Sequence, residues 1–273
     1  MRKIILLITS MFFSILTAMA LNPVKTYSVT PADFGMTYEE VKFTTDDNLQ
    51  LYGWLFKTSS PSTKVMIMSD DGNGNMADLV ELASSFLSLG YNVLSYDYRG
   101  YGKSADFTIN KNFYIYAQFQ KDINAAIDYI KKSHADMPKI YLYGQGIGAG
   151  LSIAAGTNNK VGKVIADSPY SSFEEIKAQI KKEIGEEVML PLGYNKVEIE
   201  PKYAIESKGA AMKILFIAGD KEKVYSPKYI KEIAKIREVN STIFIVKGAT
   251  QTNTFSINKE TYFAEIKSFL GNK

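Results

Sequence analysis

Five carboxylates follow short apolar runs of the chain. If these runs are parallel strands, the carboxylates lie at the same edge of the sheet. They are Asp70, Asp71, Asp97, Asp220 and Glu222. Four of them, Asp70, Asp71, Asp97 and Glu222, are candidates for lining a binding cleft. Such a group of oxygen ligands is able to hold a cation or a cationic ligand. The alternative, which we favour, is that the carboxylates are solvated or accept hydrogen bonds from backbone N–H groups in their own loops.

The residue types that the chain lacks restrict its chemistry further. The 273 residues include no cysteine and one histidine. Without cysteine there is no thiolate nucleophile, zinc–thiolate site, iron–sulfur cluster or disulfide. A single histidine excludes a metal site built from several imidazoles. The sequence therefore predicts no metal centre and offers His134 as the one imidazole base.

A glycine-rich turn follows another apolar run and opens a predicted helix. Gly144, Gly146 and Ala149 satisfy the dinucleotide pattern G-x-G-x-x-A, and Asp167 stands near the spacing of a ribose-binding acid. The motif nevertheless lies on an interior strand of the predicted order, whereas the fingerprint belongs to the first strand. Dinucleotide binding is therefore a minor alternative, and we expect no cofactor.

The elements that must position these residues alternate between strand and helix. Strands are predicted at 38–43, 49–57, 65–68, 93–96, 140–143, 164–166, 214–217 and 243–246, and helices at 76–87, 119–130, 173–187 and 262–270. This alternation predicts an α/β fold with a mostly parallel central sheet and helices on both faces. Ligands of such sheets bind beyond the carboxyl ends of the strands. Residues 171–208 are long for a connection and are expected to form a short lid-like insertion.

The first twenty residues have the pattern of a secretory signal peptide. Arg2 and Lys3 precede an apolar run at 4–17, and Ala18-Met19-Ala20 is a small-x-small cleavage site before Leu21. An uncleaved anchor is the alternative. We expect export to the periplasm or the outside of the cell, a single domain over 21–273 and no stable membrane span after cleavage. Removing the two basic residues leaves 30 basic against 29 acidic side chains, which gives no reason to expect nucleic acid as a partner.

Several loops after predicted strands resemble those of one family. Asp97 to Ser104 reads D-x-R-G-x-G-x-S, Asp167-Ser168-Pro169-Tyr170 follows a later strand, and two more loops match at 219–227 and 247–249. In these loops and their order the chain resembles the α/β-hydrolases, in their serine-aminopeptidase-like branch. The resemblance covers nearly the whole chain after residue 20. It implies the α/β-hydrolase fold.

The same resemblance assigns the positions of a catalytic triad, and this chain departs from the family at each of them. The nucleophile position of G-x-S-x-G holds Gly146, the acid position holds Glu222 and the histidine position holds Gln251. The oxyanion-hole positions are Asp71 and Ile147. A glycine cannot form an acyl-enzyme, an amide is not a base, and a carboxylate at Asp71 opposes a developing negative charge.

These substitutions predict a pseudo-hydrolase that binds a small-molecule or protein ligand. No G-x-S-x-G occurs in the chain and no histidine follows His134, which we expect to be an exposed loop residue at the opposite edge of the sheet. Losing a serine or histidine from such a triad costs on the order of a million-fold in turnover. The alternative is an ester or amide hydrolase of unorthodox mechanism, in which Glu222 or Asp71 activates a water molecule.

Overall fold

The structure is a computed structural model that describes residues 21–208 and 212–271. The predicted signal peptide, residues 1–20, lies outside the described residues. The strands are β1 (Asn22–Pro23), β2 (Glu39–Thr44), β3 (Gln50–Phe56), β4 (Lys64–Ser69), β5 (Asn73–Gly74), β6 (Asn92–Tyr96), β7 (Lys139–Gln145), β8 (Lys163–Asp167), β9 (Lys213–Gly219) and β10 (Ser241–Val246). The helices are α1 (Val80–Ser88), α2 (Phe119–Ser133), α3 (Ile147–Asn159), α4 (Phe173–Ile184), α5 (Lys196–Ile199), α6 (Pro201–Lys208), α7 (Pro227–Lys235) and α8 (Lys259–Leu270).

The described residues form one eight-stranded sheet and one two-stranded sheet. The large sheet has the order β10-β9-β8-β7-β4-β6-β3-β2. Its strands are parallel except at one end, where β3 pairs antiparallel with both β2 and β6. The small sheet pairs β1 with β5 in parallel. The predicted mostly parallel α/β architecture is confirmed.

Both faces of the large sheet are buried, which explains why its inner strands read as continuous apolar runs. On β4, Val65 and Ile67 belong to a core that also contains residues of α2, α3, α4 and α7. Met66 and Met68 belong to a second core with α1 and α8. Successive side chains on a strand point to opposite faces, so a short apolar run supplies both cores.

The helix boundaries follow local capping chemistry. Ser172 caps α4 by accepting the backbone N–H of Glu175, and Gly185 ends the helix at φ +82°. The left-handed region favours glycine because a Cβ atom is strained there. The predicted helix over 173–187 is therefore three residues too long.

The D-x-R-G motif is part of the scaffold. Arg99 is buried; its Nε donates to Asp122 Oδ1 at 2.8 Å, and its Nη1 pairs with Asp47 Oδ2 at 2.8 Å. Asp122 Oδ2 also accepts the backbone N–H of Arg99 at 3.0 Å. These bonds tie the loop after β6 to α2 and to the β2–β3 turn, which fixes one wall of the carboxyl edge.

Candidate functional site

The turn between β7 and α3 has the geometry that a nucleophile elbow requires. Gly146 has φ +51° and ψ −117°, a conformation that L side chains rarely adopt, and α3 begins at the next residue. Its N–H donates to Asp167 O at 2.9 Å. A Cβ atom on Gly148 would stand 2.4 Å from Asp70 O, and one on Gly144 would stand 2.2 Å from Gly148 O. The flanking glycines are therefore steric requirements of this sharp turn.

The structure brings the three predicted triad positions together. A Cβ atom on Gly146 would lie 2.6 Å from Nε2 of Gln251. The backbone N–H of Gln251 donates to Glu222 Oε2 at 2.9 Å. Glu222 Oε1 accepts the N–H groups of Lys223 at 3.0 Å and Val224 at 2.9 Å. Residues 222 and 251 therefore meet in front of the turn, with an acid and an amide but no base of histidine type.

The two oxyanion-hole positions also flank this turn. Ile147 is the first residue of α3, where backbone N–H groups have no carbonyl partner within the helix. On the other side, Asp71 places its Cβ atom 3.1 Å from the point where a Cβ atom on Gly146 would stand. Asp71 Oδ1 accepts the N–H of Asn73 at 2.8 Å. A donor and a carboxylate thus border the place where an oxyanion would form.

Several acidic side chains lie close together at this corner. Burial, followed by the nearby carboxylates of Asp78 and Asp167, raises the pKa of Asp71 to about 6. Burial, followed by the charges of Asp71 and Asp78, raises the pKa of Asp70 well above its ordinary range. Asp70 Oδ1 accepts the N–H of Gly72 at 2.8 Å. Within the described residues, no group of three or more histidine or acidic side chains has a geometry suited to a metal ion.

Asp97 does not line the cleft as the sequence suggested, because it is 1% exposed and binds the protein with both oxygens. Its Oδ1 accepts the N–H of Met76 at 3.0 Å, and its Oδ2 accepts the hydroxyl of Tyr27 at 2.5 Å and the N–H of Lys103 at 3.2 Å. Sequence proximity to a strand end did not reveal these partners, two of which, Tyr27 and Met76, lie in other segments of the chain. Asp97 positions the loops around the cleft.

Asp220 likewise holds a loop. Its Oδ1 accepts the N–H of Gly248 at 2.6 Å, which joins the acid loop to the loop that carries Gln251. Asp70, Asp71 and Glu222 accept backbone N–H groups of their own loops, whereas Asp220 accepts one from the neighbouring loop.

Asp167 is a buried residue whose network the sequence did not reveal. Its Oδ2 accepts hydroxyls of Thr254 at 2.5 Å and Tyr262 at 2.9 Å, and its Oδ1 accepts the hydroxyl of Ser168 at 3.0 Å. Tyr262 in turn lies 2.9 Å, oxygen to oxygen, from Tyr143. Burial raises the pKa of Asp167 to about 6. A 1% exposed carboxylate with these partners is not available to a ribose, which removes the main support for dinucleotide binding.

His134 lies at the end of α2, before the first residue of β7 and so at the amino edge of the sheet. It is half-buried rather than exposed, because its ring packs against Tyr129 and its Nε2 lies 3.1 Å from the Tyr129 hydroxyl. The histidine is therefore separated from Gly146 by the length of β7.

The segment 171–208 packs against the body of the protein through α4, α5 and α6. The hydroxyl of Tyr170 donates to Ile199 O at 2.7 Å, and buried Glu200 accepts the N–H of Phe173 at 2.6 Å. Leu192 is 93% exposed at the tip of the segment. A cavity of about 520 Å³ lies between this tip and the start of α2, and its lining includes Tyr116.

Comparison with known proteins finds a family model and several relatives that match part of the chain. Residues 61–189 match the family model described as serine aminopeptidase, S33. Protein bem46 of Schizosaccharomyces pombe is 26% identical over 209 residues, which are 72% of this chain and 65% of that protein. The α/β-hydrolase domain-containing protein WAV2 of Arabidopsis thaliana is 27% identical over 154 residues, 55% of this chain and 48% of that protein. The matches thus span about half to two thirds of the relatives' lengths.

Among solved structures, the fold is similar to that of the esterase Pf2001 of Pyrococcus furiosus. The TM-score is 0.75 at 20% sequence identity, and the match covers 92% of this chain and 97% of the esterase. At this level of sequence identity, the similarity shows the fold. The chemistry has to be inferred from the residues of the site.

Proposed function

The chain belongs to the α/β-hydrolase superfamily, and from that premise we propose that it is a member that binds a ligand without cleaving it. The observation that carries the proposal is the pairing at the centre of the site. A glycine stands at the nucleophile elbow and the side-chain amide of Gln251 stands where a base would face it. The scaffold that positions a triad is complete, whereas the reacting groups are absent.

Each missing group is indispensable to acyl transfer by the family mechanism. A serine oxygen forms the covalent intermediate, and a histidine takes and returns its proton. Removing either costs on the order of a million-fold in turnover. The residual rate of such enzymes comes from the oxyanion hole and from binding, and here Asp71 places a carboxylate beside that hole. Little catalysis by the family mechanism is therefore expected.

The proposed ligand is a small molecule or a protein partner, bound at the carboxyl edge of the sheet. The proposal includes export, with a signal peptide cleaved after Ala20, on the strength of the pattern in residues 1–20. Within residues 21–208 and 212–271, no helix combines the length and apolar character needed to cross a membrane.

A second candidate function is hydrolysis by a water molecule that Asp71 activates. It is favoured by one observation: a carboxylate with a pKa of about 6 lies beside the elbow. A base with a pKa near neutrality combines an adequate ionised fraction with useful basicity. Under this alternative, Asp71→Asn abolishes turnover of esters while the protein stays folded.

The decisive experiment measures hydrolysis of a panel of acyl esters by the chain that begins at Leu21. It is run beside the double variant Gly146→Ser with Gln251→His, and both proteins are checked for equal folding by circular dichroism. We expect a silent parent and an active double variant, because the scaffold already holds both positions at contact distance. Turnover by the parent well above the buffer rate would overturn the binding function and favour the Asp71 mechanism.

A further inference from the structure

Two adjoining cavities lie beside α2. One, of about 520 Å³, lies between the start of α2 and the tip of the segment 171–208. The other, of about 760 Å³, lies between α2, the end of α3 and strand β2. Both volumes fall within the range of about 300–1,000 Å³ that is usual for small-molecule sites. The two cavities share the lining residues Asp46, Lys121, Asn124 and Glu198, so they form one groove, which we call the α2 groove.

Three hydrogen-bonded side-chain amides line the α2 groove, and their partners determine which way each amide points. Nδ2 of Asn159 donates to the backbone carbonyl of Ala155 at 3.0 Å, and its Oδ1 accepts from Nζ of Lys131 at 3.2 Å. The same Nδ2 donates to Oδ1 of Asn124 at 3.0 Å, and that oxygen also accepts Nε2 of Gln120 at 3.4 Å. A carbonyl oxygen only accepts and an ammonium group only donates. The orientation of Asn159 therefore fixes that of Asn124, which in turn fixes that of Gln120.

The series of amides ends at a carbonyl oxygen that has no donor. Gln120 lines the smaller cavity and is 4% exposed, and its Oε1 has no hydrogen-bond partner among the residues that the structure describes. Asn158 lines the larger cavity; its Nδ2 donates to Val197 O at 3.3 Å, and its Oδ1 is buried without a donor. In the part of the chain that the structure describes, three buried side-chain nitrogen or oxygen atoms lack a partner, and these two are among them. Because a buried acceptor without a donor is unfavourable, a molecule that supplies donors to both oxygens gains binding energy from them.

The charged side chains of the α2 groove balance one another. Those that line it are Asp46, Asp128 and Glu198 against Lys42, Lys121 and Lys132. Lys121 forms a salt bridge with Asp46 at 2.9 Å, and Lys132 forms one with Asp128 at 3.3 Å. The groove therefore favours a neutral ligand over an anion or a cation. Since its lining offers both donors and acceptors, it suits groups that both donate and accept, as hydroxyl groups do.

Aromatic rings line the smaller cavity. The half-buried rings of Phe113 and Tyr116 stack with centroids 4.9 Å apart and an interplanar angle of 26°. The half-buried ring of Tyr194 lines the same cavity, and its hydroxyl donates to Glu200 Oε1 at 2.9 Å. Flat apolar surfaces of this kind suit the C–H face of a sugar ring, whose hydroxyl groups at the rim stay free for hydrogen bonds.

We propose that the α2 groove is a second ligand site, which binds a neutral saccharide chain. Sugar hydroxyls donate to Oε1 of Gln120 in one cavity and to Oδ1 of Asn158 in the other, and a sugar ring lies against the stacked pair of Phe113 and Tyr116. Because the two acceptors line different cavities of the groove, the ligand has at least two sugar units. None of the described residues that line the groove is a triad or oxyanion-hole position, so this inference goes beyond the proposed function and does not rest on it.

The test measures binding of three neutral saccharide chains, cellotetraose, maltotetraose and chitotetraose, to the protein purified after expression of its full sequence. Saturation-transfer difference NMR detects contact between the protein and each probe, and a titration gives Kd. We expect at least one probe to bind with a Kd of about 1 mM or tighter. If none of the three shows saturation transfer at about ten times that concentration, the proposal is overturned.

The variant Gln120→Met places the binding in the groove. Methionine is similar in length to glutamine but has no amide, so we expect Kd to rise about fivefold or more for the probe that binds. The unfolding temperature should not fall, because the oxygen that is removed has no partner in the free protein. Gln179→Met is the matched control, since Gln179 lies on α4 and is absent from the lining of the groove. An unchanged Kd in Gln120→Met overturns the assignment of the site.

A second variant keeps the proposal testable if Gln120→Met does not fold. Phe113→Leu retains an apolar side chain and removes the flat ring, so it should also raise Kd about fivefold or more. An unchanged Kd in this variant contradicts the stacking of a sugar ring on Phe113 and Tyr116.

A peptide probe distinguishes a saccharide from other neutral donors. Acetylated and amidated tetra-alanine supplies N–H donors but no hydroxyl groups. If it binds as tightly as the best saccharide, the saccharide assignment is wrong. Ester hydrolysis by the parent protein would contradict the binding function proposed for the elbow and would leave the saccharide titration unaffected, so the two proposals fail separately.

Discussion

The Nε2 atom of Gln251 lies 2.6 Å from the place that a Cβ atom on Gly146 would occupy, although the two residues are more than one hundred positions apart in the chain. Gly146 has the positive φ of a nucleophile elbow, but it lacks the serine side chain that acts as the nucleophile in such a turn. The amide of Gln251 occupies the space into which a side chain at position 146 would extend. The site thus has a glycine and an amide facing each other at two of the predicted triad positions.

Removing the charge of Asp71 should increase the activity of the repaired site. In the background Gly146→Ser with Gln251→His, we expect Asp71→Asn and Asp71→Gly each to raise kcat for esters by about tenfold or more, since oxyanion stabilisation is worth about 10² to 10³. Asp71→Asn retains an oxygen that is able to accept the N–H of Asn73 and so isolates the effect of charge. A lower kcat in both variants would show that the carboxylate assists the reaction.

A side chain at position 146 should cost stability for two separable reasons. Gly146→Ala places a Cβ atom at φ +51°, which costs about 1–2 kcal/mol, and brings it against Gln251. Gly35→Ala is a control for a side chain at positive φ without crowding, because Gly35 has φ +65° and ψ 21°, in the αL region, and nothing within 4 Å of the added atom. Urea unfolding should show a larger loss for Gly146→Ala than for Gly35→Ala.

The contact contribution is tested by adding Gln251→Ala to Gly146→Ala. Removing the facing amide should restore the part of the loss that comes from crowding by Gln251. The part that comes from the backbone and from the Cβ atom of Asp71, 3.1 Å away, should remain. Equal losses in Gly146→Ala and Gly35→Ala would mean that Gln251 moves aside freely.

The strands of the sheet could be predicted from the sequence because each is indicated by a short apolar run, which is a local pattern. Runs such as Val65–Met68 are apolar on both faces, which is typical of inner parallel strands. The approach of Gly146 and Gln251 was predicted only through family resemblance, since nothing in their spacing brings two loops together. Their actual separation depends on how β7, β9 and β10 align in the sheet.

The parts that the sequence did not predict depend on contacts between distant segments. Strand β1 has two residues and gains its structure from pairing with a loop, so it carries no periodic signal. Asp97 looked like a cleft residue because it follows a strand, whereas its partners come from the N-terminal segment, from Met76 and from its own loop. The hydrogen bonds of Asp167 reach a residue 95 positions away.

Replacing Arg99 should destabilise the protein far more than replacing an exposed cation at the same contact between α2 and the β2–β3 turn. Its guanidinium group is 1% exposed and pairs with Asp122 and Asp47, so Arg99→Met leaves a buried carboxylate without its partner and should cost about 3–5 kcal/mol. Lys121 pairs with Asp46 where both side chains are exposed, and Lys121→Met should cost less than about 1 kcal/mol. Chemical denaturation compares the two.

A double variant distinguishes a lost partner from lost packing. Adding Asp122→Asn to Arg99→Met removes the unpaired charge and keeps an oxygen for the backbone N–H of Arg99. The double variant should therefore be more stable than Arg99→Met alone. If it is less stable, the cost of Arg99→Met comes from packing.

Stability should fall as the pH rises from about 4 to about 6, partly because of Asp167. Burial raises its pKa to about 6, against about 3.9 for an unfolded aspartate. A group whose pKa is higher in the folded state binds a proton more tightly there, so it stabilises the fold below the unfolded pKa and loses that contribution as the pH passes the folded pKa. Urea midpoints measured across this range should decline in the parent and decline less in Asp167→Asn. The exposed control Asp136→Asn should keep the parent slope, and an unchanged slope in Asp167→Asn would mean that its three hydroxyl donors hold the carboxylate ionised throughout.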